Sequence, residues 1–185
     1  MFKTKGLVLA ILLFFMTTVW VFAAGKLNIG PNLPSLKFEK PPSEEAQNYL
    51  GLSNMEPFTL SQVQGKIVII EIMGAFCTSC AANAPVVNKL YSAIQGDPAL
   101  KKDVKLFAIG VGSKPKELQA FKKTYRVQFP LVSDLEGEVW TALGSASTPA
   151  MVVTTPSGKV LTSHVGPIDD YEAFLQEIRE LHKKQ

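Results

Sequence analysis

The sequence predicts an α/β fold in which a central mixed β-sheet is flanked by helices. Apolar, β-branched runs at 67–73 and 104–111 have the composition of buried strands. Segments with apolar residues at helical spacing separate and follow these runs. Two short strand patterns at 150–165 are joined by a tight turn and precede a last amphipathic helix. Strands that alternate with helices and close with a hairpin are typical of a mixed sheet covered on both faces.

The first 24 residues predict an export segment. Lys3 and Lys5 precede an apolar run from Leu7 to Ala24 in which two threonines are the polar residues. A basic end followed by an apolar stretch is typical of a signal peptide. The run also suits an N-terminal membrane anchor, because a spanning helix needs about 20 residues. Both interpretations place the rest of the chain in the periplasm or at the outer face of the membrane.

The remainder predicts an N-terminal extension at 25–57 and one domain at 58–185. In the extension, Gly25 to Asn32 is expected to be a flexible lead and Leu33 to Phe38 a first strand. Ser43 is the expected N-cap of a short helix that ends near Gly51. The other predicted elements of the domain are a strand at 58–60, a helix from Cys77 to about Gln95, a helix from Lys114 to Tyr125 with Leu118, Phe121 and Tyr125 buried, a short helix at 135–143, and a last helix capped by Asp169.

The charge balance excludes a nucleic-acid footprint. The chain has 19 basic and 16 acidic residues, and two of the basic residues lie in the export segment, which leaves 17 against 16. Proteins that bind nucleic acid concentrate lysine and arginine on one face, and no such run occurs here. We expect a monomer that does not bind nucleic acid.

Cys77 and Cys80 are the only two cysteines, and they lie where the first buried strand turns into a helix. On a first helical turn, residues i and i+3 share one face, so the two sulfurs can form a disulfide. A thiolate at a helix N-terminus is stabilised by unpaired N–H groups and the helix dipole. A loop this short contributes little as a structural crosslink. The spacing therefore predicts a redox pair, with Cys77 as the attacking thiolate and Cys80 as the resolving thiol.

These motifs resemble the thioredoxin superfamily, and within it the exported TlpA/ResA-like (redoxin) branch, over about Phe58 to Leu181. The resemblance implies a thioredoxin-like fold and a thiol–disulfide oxidoreductase that needs no cofactor. It implies cysteine-containing extracytoplasmic proteins as substrates, with a redox partner that recharges the dithiol. The matching residues are Cys77-Thr78-Ser79-Cys80 for the redox motif, Pro85 for the helix proline, Thr148-Pro149 for the cis-proline loop facing the dithiol, and Glu71 for the buried acid.

Three positions depart from the family pattern. Phe76 stands where a tryptophan usually precedes the first cysteine, which keeps an apolar wall for a substrate beside Thr148 and Pro149. The spacer Thr78-Ser79 matches neither reducing nor strongly oxidising members, so the redox direction stays open. Asn83 stands where many relatives of this branch carry a glutamate. Any proton relay therefore falls to Glu71.

Glu71 lies in the middle of an apolar strand, where burial disfavours a charged carboxylate and raises its pKa. A carboxyl that titrates near neutrality can accept the proton of Cys80, directly or through a water. An exposed position on the strand is the alternative interpretation.

Two other functions remain as alternatives. A peroxiredoxin-type peroxidase carries a threonine or serine three residues before its cysteine, whereas Gly74 stands there. A Cu(I)-binding metallochaperone uses soft thiolates, but that class generally adds a histidine and a longer cysteine spacing. His164 and His182 are expected at the surface, and we predict no metal site.

Overall fold

The computed structural model describes residues 25–185, so the predicted export segment at 1–24 lies outside the described residues. Within the described part of the chain, no helix is long and apolar enough to cross a membrane. The elements in chain order are β1 (Lys37–Phe38), α1 (Glu44–Leu50), β2 (Phe58–Thr59), β3 (Ile67–Met73), α2 (Thr78–Gly96), α3 (Pro98–Asp103), β4 (Val104–Val111), α4 (Pro115–Thr124), β5 (Leu131–Asp134), α5 (Glu138–Ala142), β6 (Ala150–Thr154), β7 (Val160–Val165) and α6 (Tyr171–Lys183).

A five-stranded mixed sheet has the order β5-β4-β3-β6-β7, which confirms the predicted fold class. β3 runs parallel to β4, and β4 runs parallel to β5. β6 is antiparallel to both β3 and β7. All seven residues of β3 are buried, as its near-continuous apolar composition predicts. The carboxyl ends of the three parallel strands and the start of β6 therefore share one edge of the sheet.

The two faces of the sheet are covered differently. The face that carries Ile67, Ile69, Glu71 and Met73, here called the α2 face, packs against apolar residues of α2, α4 and α6. The opposite face, here called the aromatic face, packs against the N-terminal extension and α5. The rings of the aromatic face are Phe38, Phe58 and Phe107, and their centroids lie 5.1 to 5.8 Å apart.

Several predicted boundaries need correction. The predicted strand from Leu33 to Phe38 is reduced to the two residues of β1, and Leu60 belongs to a 3₁₀ turn rather than to a strand. The connection after Phe129 contains the edge strand β5, which the sequence pattern did not indicate. A separate helix, α3, follows α2 because the Asp97 carboxylate accepts hydrogen bonds from the first N–H groups after Pro98.

Three further expectations were wrong. Tyr125, expected on the buried side of its helix, caps the C-terminus of α4 and is 38% exposed. Asp170, rather than Asp169, caps α6, because its carboxylate accepts the Ala173 N–H. The lead from Gly25 to Asn32 is held at the edge of the sheet. Isolated bridges join Gly25 to Val165 and Asn32 to Lys159, and Leu27 is buried.

Candidate active site

Cys77 and Cys80 form a disulfide at the N-terminus of α2, with their Cα atoms 5.2 Å apart. Cys77 is the N-cap residue, and its Sγ accepts the Cys80 N–H at 3.1 Å. Cys77 is half-buried, whereas Cys80 is only 1% exposed. The helix-terminal N–H groups and the helix dipole favour a thiolate at Cys77 once the disulfide is reduced. The geometry therefore gives the two sulfurs unequal access to a partner.

The loop before β6 lies against Cys77. The peptide bond between Thr148 and Pro149 is cis, as the resemblance implies. Thr148 Oγ1 lies 3.3 Å from Cys77 Sγ, and the Thr148 carbonyl oxygen lies 3.7 Å from the same sulfur. In the disulfide Cys77 carries no hydrogen, so the hydroxyl is the donor in this pair. The hydroxyl is placed to donate to a Cys77 thiolate after reduction.

Phe76 stands on the open side of the disulfide, with 83% of its surface exposed. An aromatic ring this exposed, next to Cys77 in the sequence, is a candidate contact for a docking partner. A groove of about 330 Å³ is lined by Gly74, Val111, Trp140, Ala146, Ser147 and Thr148. Thr148 also contacts Cys77 Sγ, so the groove lies close to the disulfide.

Ser113 braces the loop that carries the cysteines, and the sequence analysis missed it. Its hydroxyl accepts the Ala75 N–H at 3.0 Å and donates to the Val111 carbonyl at 3.0 Å. Ser133 Oγ in turn donates to the Ser113 carbonyl at 2.7 Å. Ser113 lies two residues after the end of β4, and parallel strands end at the same edge as the redox motif. Its position after a predicted strand is the signal that could have identified it.

Glu71 is buried on the α2 face, as expected from its place in β3. It is 4% exposed, and it lies between Ile69 and Met73, which belong to the same packed cluster as Cys80. Burial raises the pKa of Glu71 to about 7, and the polar side chain of Asn83 opposes that rise. A carboxyl with this pKa changes charge near neutral pH, so it can either give or accept a proton there.

The structure brings the half-buried Cys77 and Thr148 together beside the buried Pro149, with Glu71 and Cys80 in the core behind them. Their catalytic and binding roles stay predictions. Among residues 25–185, there is no group of three or more His, Cys, Asp and Glu side chains arranged to hold a metal ion. His182 was expected at the surface, but it is largely buried and its Nε2 lies 2.8 Å from Asp103 Oδ2.

Comparisons with known proteins agree with this geometry. The profile of the AhpC/TSA family matches residues 37–163. The thiol-disulfide oxidoreductase ResA of Geobacillus thermodenitrificans is 27% identical over 122 residues, which cover 65% of this chain and 67% of ResA. A secreted thiol-disulfide isomerase from Corynebacterium glutamicum superposes with a TM-score of 0.63 at 15% identity, covering 82% of this chain and 85% of the other. A thioredoxin-like protein from Aeropyrum pernix gives a TM-score of 0.57 at 18% identity, with 82% and 89% covered. These likenesses confirm the predicted thioredoxin-like fold.

Proposed function

The chain belongs to the AhpC/TSA family, and from that premise we propose that it is a thiol–disulfide oxidoreductase acting on cysteine-containing proteins outside the cytoplasm. The observation that carries the proposal is the Cys77–Cys80 disulfide, whose one half-accessible sulfur lies beside the loop of Thr148 and Pro149. The name of the ResA relative supports the same activity. The apolar run at 7–24 supports export, by a cleaved signal or a retained anchor.

The disulfide form oxidises a client that carries two thiols. One client thiolate attacks Cys77 Sγ, which breaks the Cys77–Cys80 bond and releases Cys80 as a thiolate. A proton from Glu71 converts that thiolate into a thiol. The second client thiolate then attacks the client sulfur of the mixed disulfide and releases Cys77 as a thiolate. The client has lost two electrons and gained a disulfide, and the redox pair has gained them.

The dithiol form runs the same steps in reverse. The Cys77 thiolate attacks a client disulfide and forms the mixed disulfide, while the other client sulfur leaves as a thiolate. The Cys80 thiol gives its proton to the Glu71 carboxylate and attacks Cys77 Sγ, which releases the client in the reduced form. A redox partner that restores the starting state of the pair completes either cycle.

Glu71 is the proton carrier for Cys80 because it is the buried acid on the same face. A positioned acid or base of matched pKa contributes about a hundredfold or more to a proton-transfer step. In the Glu71→Gln variant, Cys80 is therefore expected to attack the mixed disulfide and release the client about a hundredfold more slowly. Stopped-flow measurement of the second step checks this, and an unchanged rate across neutral pH excludes the role.

The client binds as an extended segment across the exposed end of the pair. The backbone of Thr148 is the part of this loop that offers strand-like hydrogen bonds beside Cys77, because Pro149 has no N–H and its carbonyl accepts the Gly166 N–H. Phe76 supplies apolar contact on the other side.

Equilibration against glutathione tests the proposal and gives its direction. The pair should exchange reversibly with reduced and oxidised glutathione, and it should also exchange with a reduced or scrambled ribonuclease as a client. A strongly reducing equilibrium assigns a reductase, and a mild one assigns an oxidase or isomerase. Acid-quenched mass spectrometry of the Cys80→Ser variant with scrambled ribonuclease, whose disulfide accepts the attack of Cys77, should find the client trapped on Cys77. A pair that exchanges with neither glutathione nor the client would falsify the proposal.

The two alternatives are separated with the same material. Rapid consumption of peroxide by the Cys80→Ser variant would assign a peroxidase, although Gly74 places no hydroxyl three residues before Cys77. Tight, stoichiometric binding of Cu(I) to the reduced protein would assign a metallochaperone. Neither result is expected.

A further inference from the structure

Asn83 has a buried side-chain amide whose oxygen accepts a hydrogen bond and whose nitrogen has no partner among the described residues. Its side chain is 1% exposed and lies on the side of α2 that faces the sheet. Its Oδ1 accepts the N–H of Ile168 at 3.0 Å, in the loop between β7 and α6. Its Nδ2 has no hydrogen-bond partner among the residues that the structure describes. An amide with unpaired donors in the core is unfavourable, so a buried asparagine of this kind needs a physical reason.

The Ile168 N–H decides which way the amide faces. A backbone N–H can only donate, so the Asn83 oxygen lies towards Ile168 and the nitrogen lies on the opposite side. Glu71 is the buried carboxyl of the β3 face that α2 covers, so it is the acceptor available on that side. The lowering effect of the Asn83 side chain on the pKa of Glu71 agrees with this placement. The free donors of the amide therefore face the buried acid.

We propose that Asn83 is a positioning residue for thiol–disulfide exchange, whose Nδ2 group holds one oxygen of the Glu71 carboxylate, directly or through one buried water, and leaves the other oxygen for Cys80. The inference rests on the proposed function, because it assigns Asn83 a part in the proton transfer at Cys80. The loop before α6 contributes to this arrangement, because the Ile168 N–H orients the Asn83 amide and the amide in turn positions the Glu71 carboxylate.

The surroundings of Glu71 leave few other groups that could set its titration. Its strand neighbours are Ala108 of β4 and Met151 of β6, and neither carries a charge. His164 of β7 pairs with Met151, so it lies two strands away in the same row. From α2, the titratable side chain is Cys80, which is disulfide-bonded here and becomes a thiol on reduction.

Nuclear magnetic resonance on the full chain tests the contact without any substitution. The side-chain carboxyl carbon of Glu71 and the side-chain amide of Asn83 are followed across neutral pH in the oxidised protein. We expect both signals to move with one midpoint, because the amide senses the charge that it binds. Asn83 amide signals that do not change with pH would overturn the inference.

An isosteric pair of variants tests the mechanism. Asn83→Asp keeps an oxygen for the Ile168 N–H but replaces the donor that faces Glu71 by a second carboxylate. The midpoint of Glu71 is expected to rise by about one pH unit or more through like-charge repulsion, and the pH profile of mixed-disulfide resolution should move with it. Asn88→Asp is the control on the same helix, because the Asn88 amide donates to the Tyr125 and Arg126 carbonyls instead. It should leave the midpoint unchanged.

The two measurements separate this inference from the proposed function. The titration reports on the contact between Asn83 and Glu71 whether or not the protein exchanges disulfides. A coupled titration in a protein that exchanges with no client would overturn the function. If the titration midpoint of Glu71 rises in Asn83→Asp but the pH profile of mixed-disulfide resolution does not move, the positioning role is overturned. Should Asn83→Asp fail to fold, the titration of the unsubstituted protein still decides the contact.

Discussion

The two faces of the central sheet have the same apolar strands but carry different chemistry. On the aromatic face, Phe107 packs against the rings of Phe38 and Phe58 with centroids 5.1 and 5.8 Å away. On the α2 face, β3 places Glu71 among apolar residues, and α2 places Asn83 in the core. Burial of a carboxyl is unfavourable when it is charged. Burying Glu71 behind the disulfide therefore makes the folded protein less stable at neutral pH.

This difference shows why the redox pair needs a well-packed second face. Strands β3 and β4 carry both faces at once, so apolar burial on the aromatic side stabilises the backbone that positions Glu71. Large buried aromatic rings bring the greatest area per residue to such a core. Substitutions on the aromatic face should change stability alone, and those on the α2 face should change the pH dependence and the chemistry.

The largest effect is expected for substitution of Cys77, the accessible sulfur of the redox pair. Cys77→Ser removes the attacking thiolate, so exchange with a client should fall to the uncatalysed background, a loss of roughly a thousandfold or more. The fold should be retained, since the closed loop is short. Initial rates with scrambled ribonuclease check this, and Cys80→Ser, whose Cys77 thiolate still forms the mixed disulfide with a client disulfide, is the control. Residual turnover by Cys77→Ser would show that another group does the chemistry.

The next effect concerns the aromatic face. Phe107 is fully buried, so Phe107→Ala should lower the free energy of unfolding by about 3 to 5 kcal/mol through lost burial and a cavity. Urea denaturation measures this. In the fraction that remains folded, the pH profile of exchange should match that of the unsubstituted protein. A displaced profile would show that the two faces are coupled more closely than their packing indicates.

Glu71 should make stability depend on pH. Its pKa rises from 4.5 to about 7 on folding, so the folded protein holds this proton more tightly than the unfolded chain does. The free energy of unfolding should therefore fall as the pH rises from about 4.5 to about 7, by about 3 kcal/mol, and stay level above. Glu71→Gln should lack that fall. Urea denaturation of both proteins at a series of pH values gives the difference, and parallel curves would place the acid outside the core.

The smallest effect is expected at Phe76, whose ring is exposed. Phe76→Ala is the matched counterpart of Phe107→Ala, and it should leave the unfolding free energy unchanged. It should weaken binding of a protein client by about 1 kcal/mol, a several-fold rise in KM, through lost apolar contact. Exchange with glutathione, which is too small to reach across the site, should be unaffected. Equal losses with both substrates would assign Phe76 to the chemistry of Cys77.

Strong local patterns made most of the fold predictable. The nearly continuous apolar run of β4 is visible in a short stretch of sequence, and the structure has the strand Val104–Val111 there. Ser43 and Gly51 likewise mark the two ends of α1, which spans Glu44–Leu50. β5 was missed because its four residues follow a proline and carry two polar side chains. α3 was missed because Pro98 stops one helix and also starts the next.

The site was predictable to the extent that its residues lie in motifs. Cys77, Cys80 and the Thr148-Pro149 pair stand in a recognisable order along the chain. Ser113 acts through a hydrogen bond to Ala75, 38 residues away, and Asn83 acts through Ile168, 85 residues away. Contacts over such separations are set by the sheet order, which no local pattern contains. The sequence shows that Asn83 departs from the family pattern, but it does not show that the Asn83 side chain contacts Ile168.

The bridge between Gly25 and Val165 has a consequence for where the protein works. Val165 pairs with Ala150, which directly follows Pro149, so the chain enters the domain on the same side as the reactive sulfur. Residue 25 and the redox pair therefore lie at the same edge of the sheet, separated by β7 and β6. Any segment that tethers the domain through residue 25 would hold it by the edge that carries the disulfide.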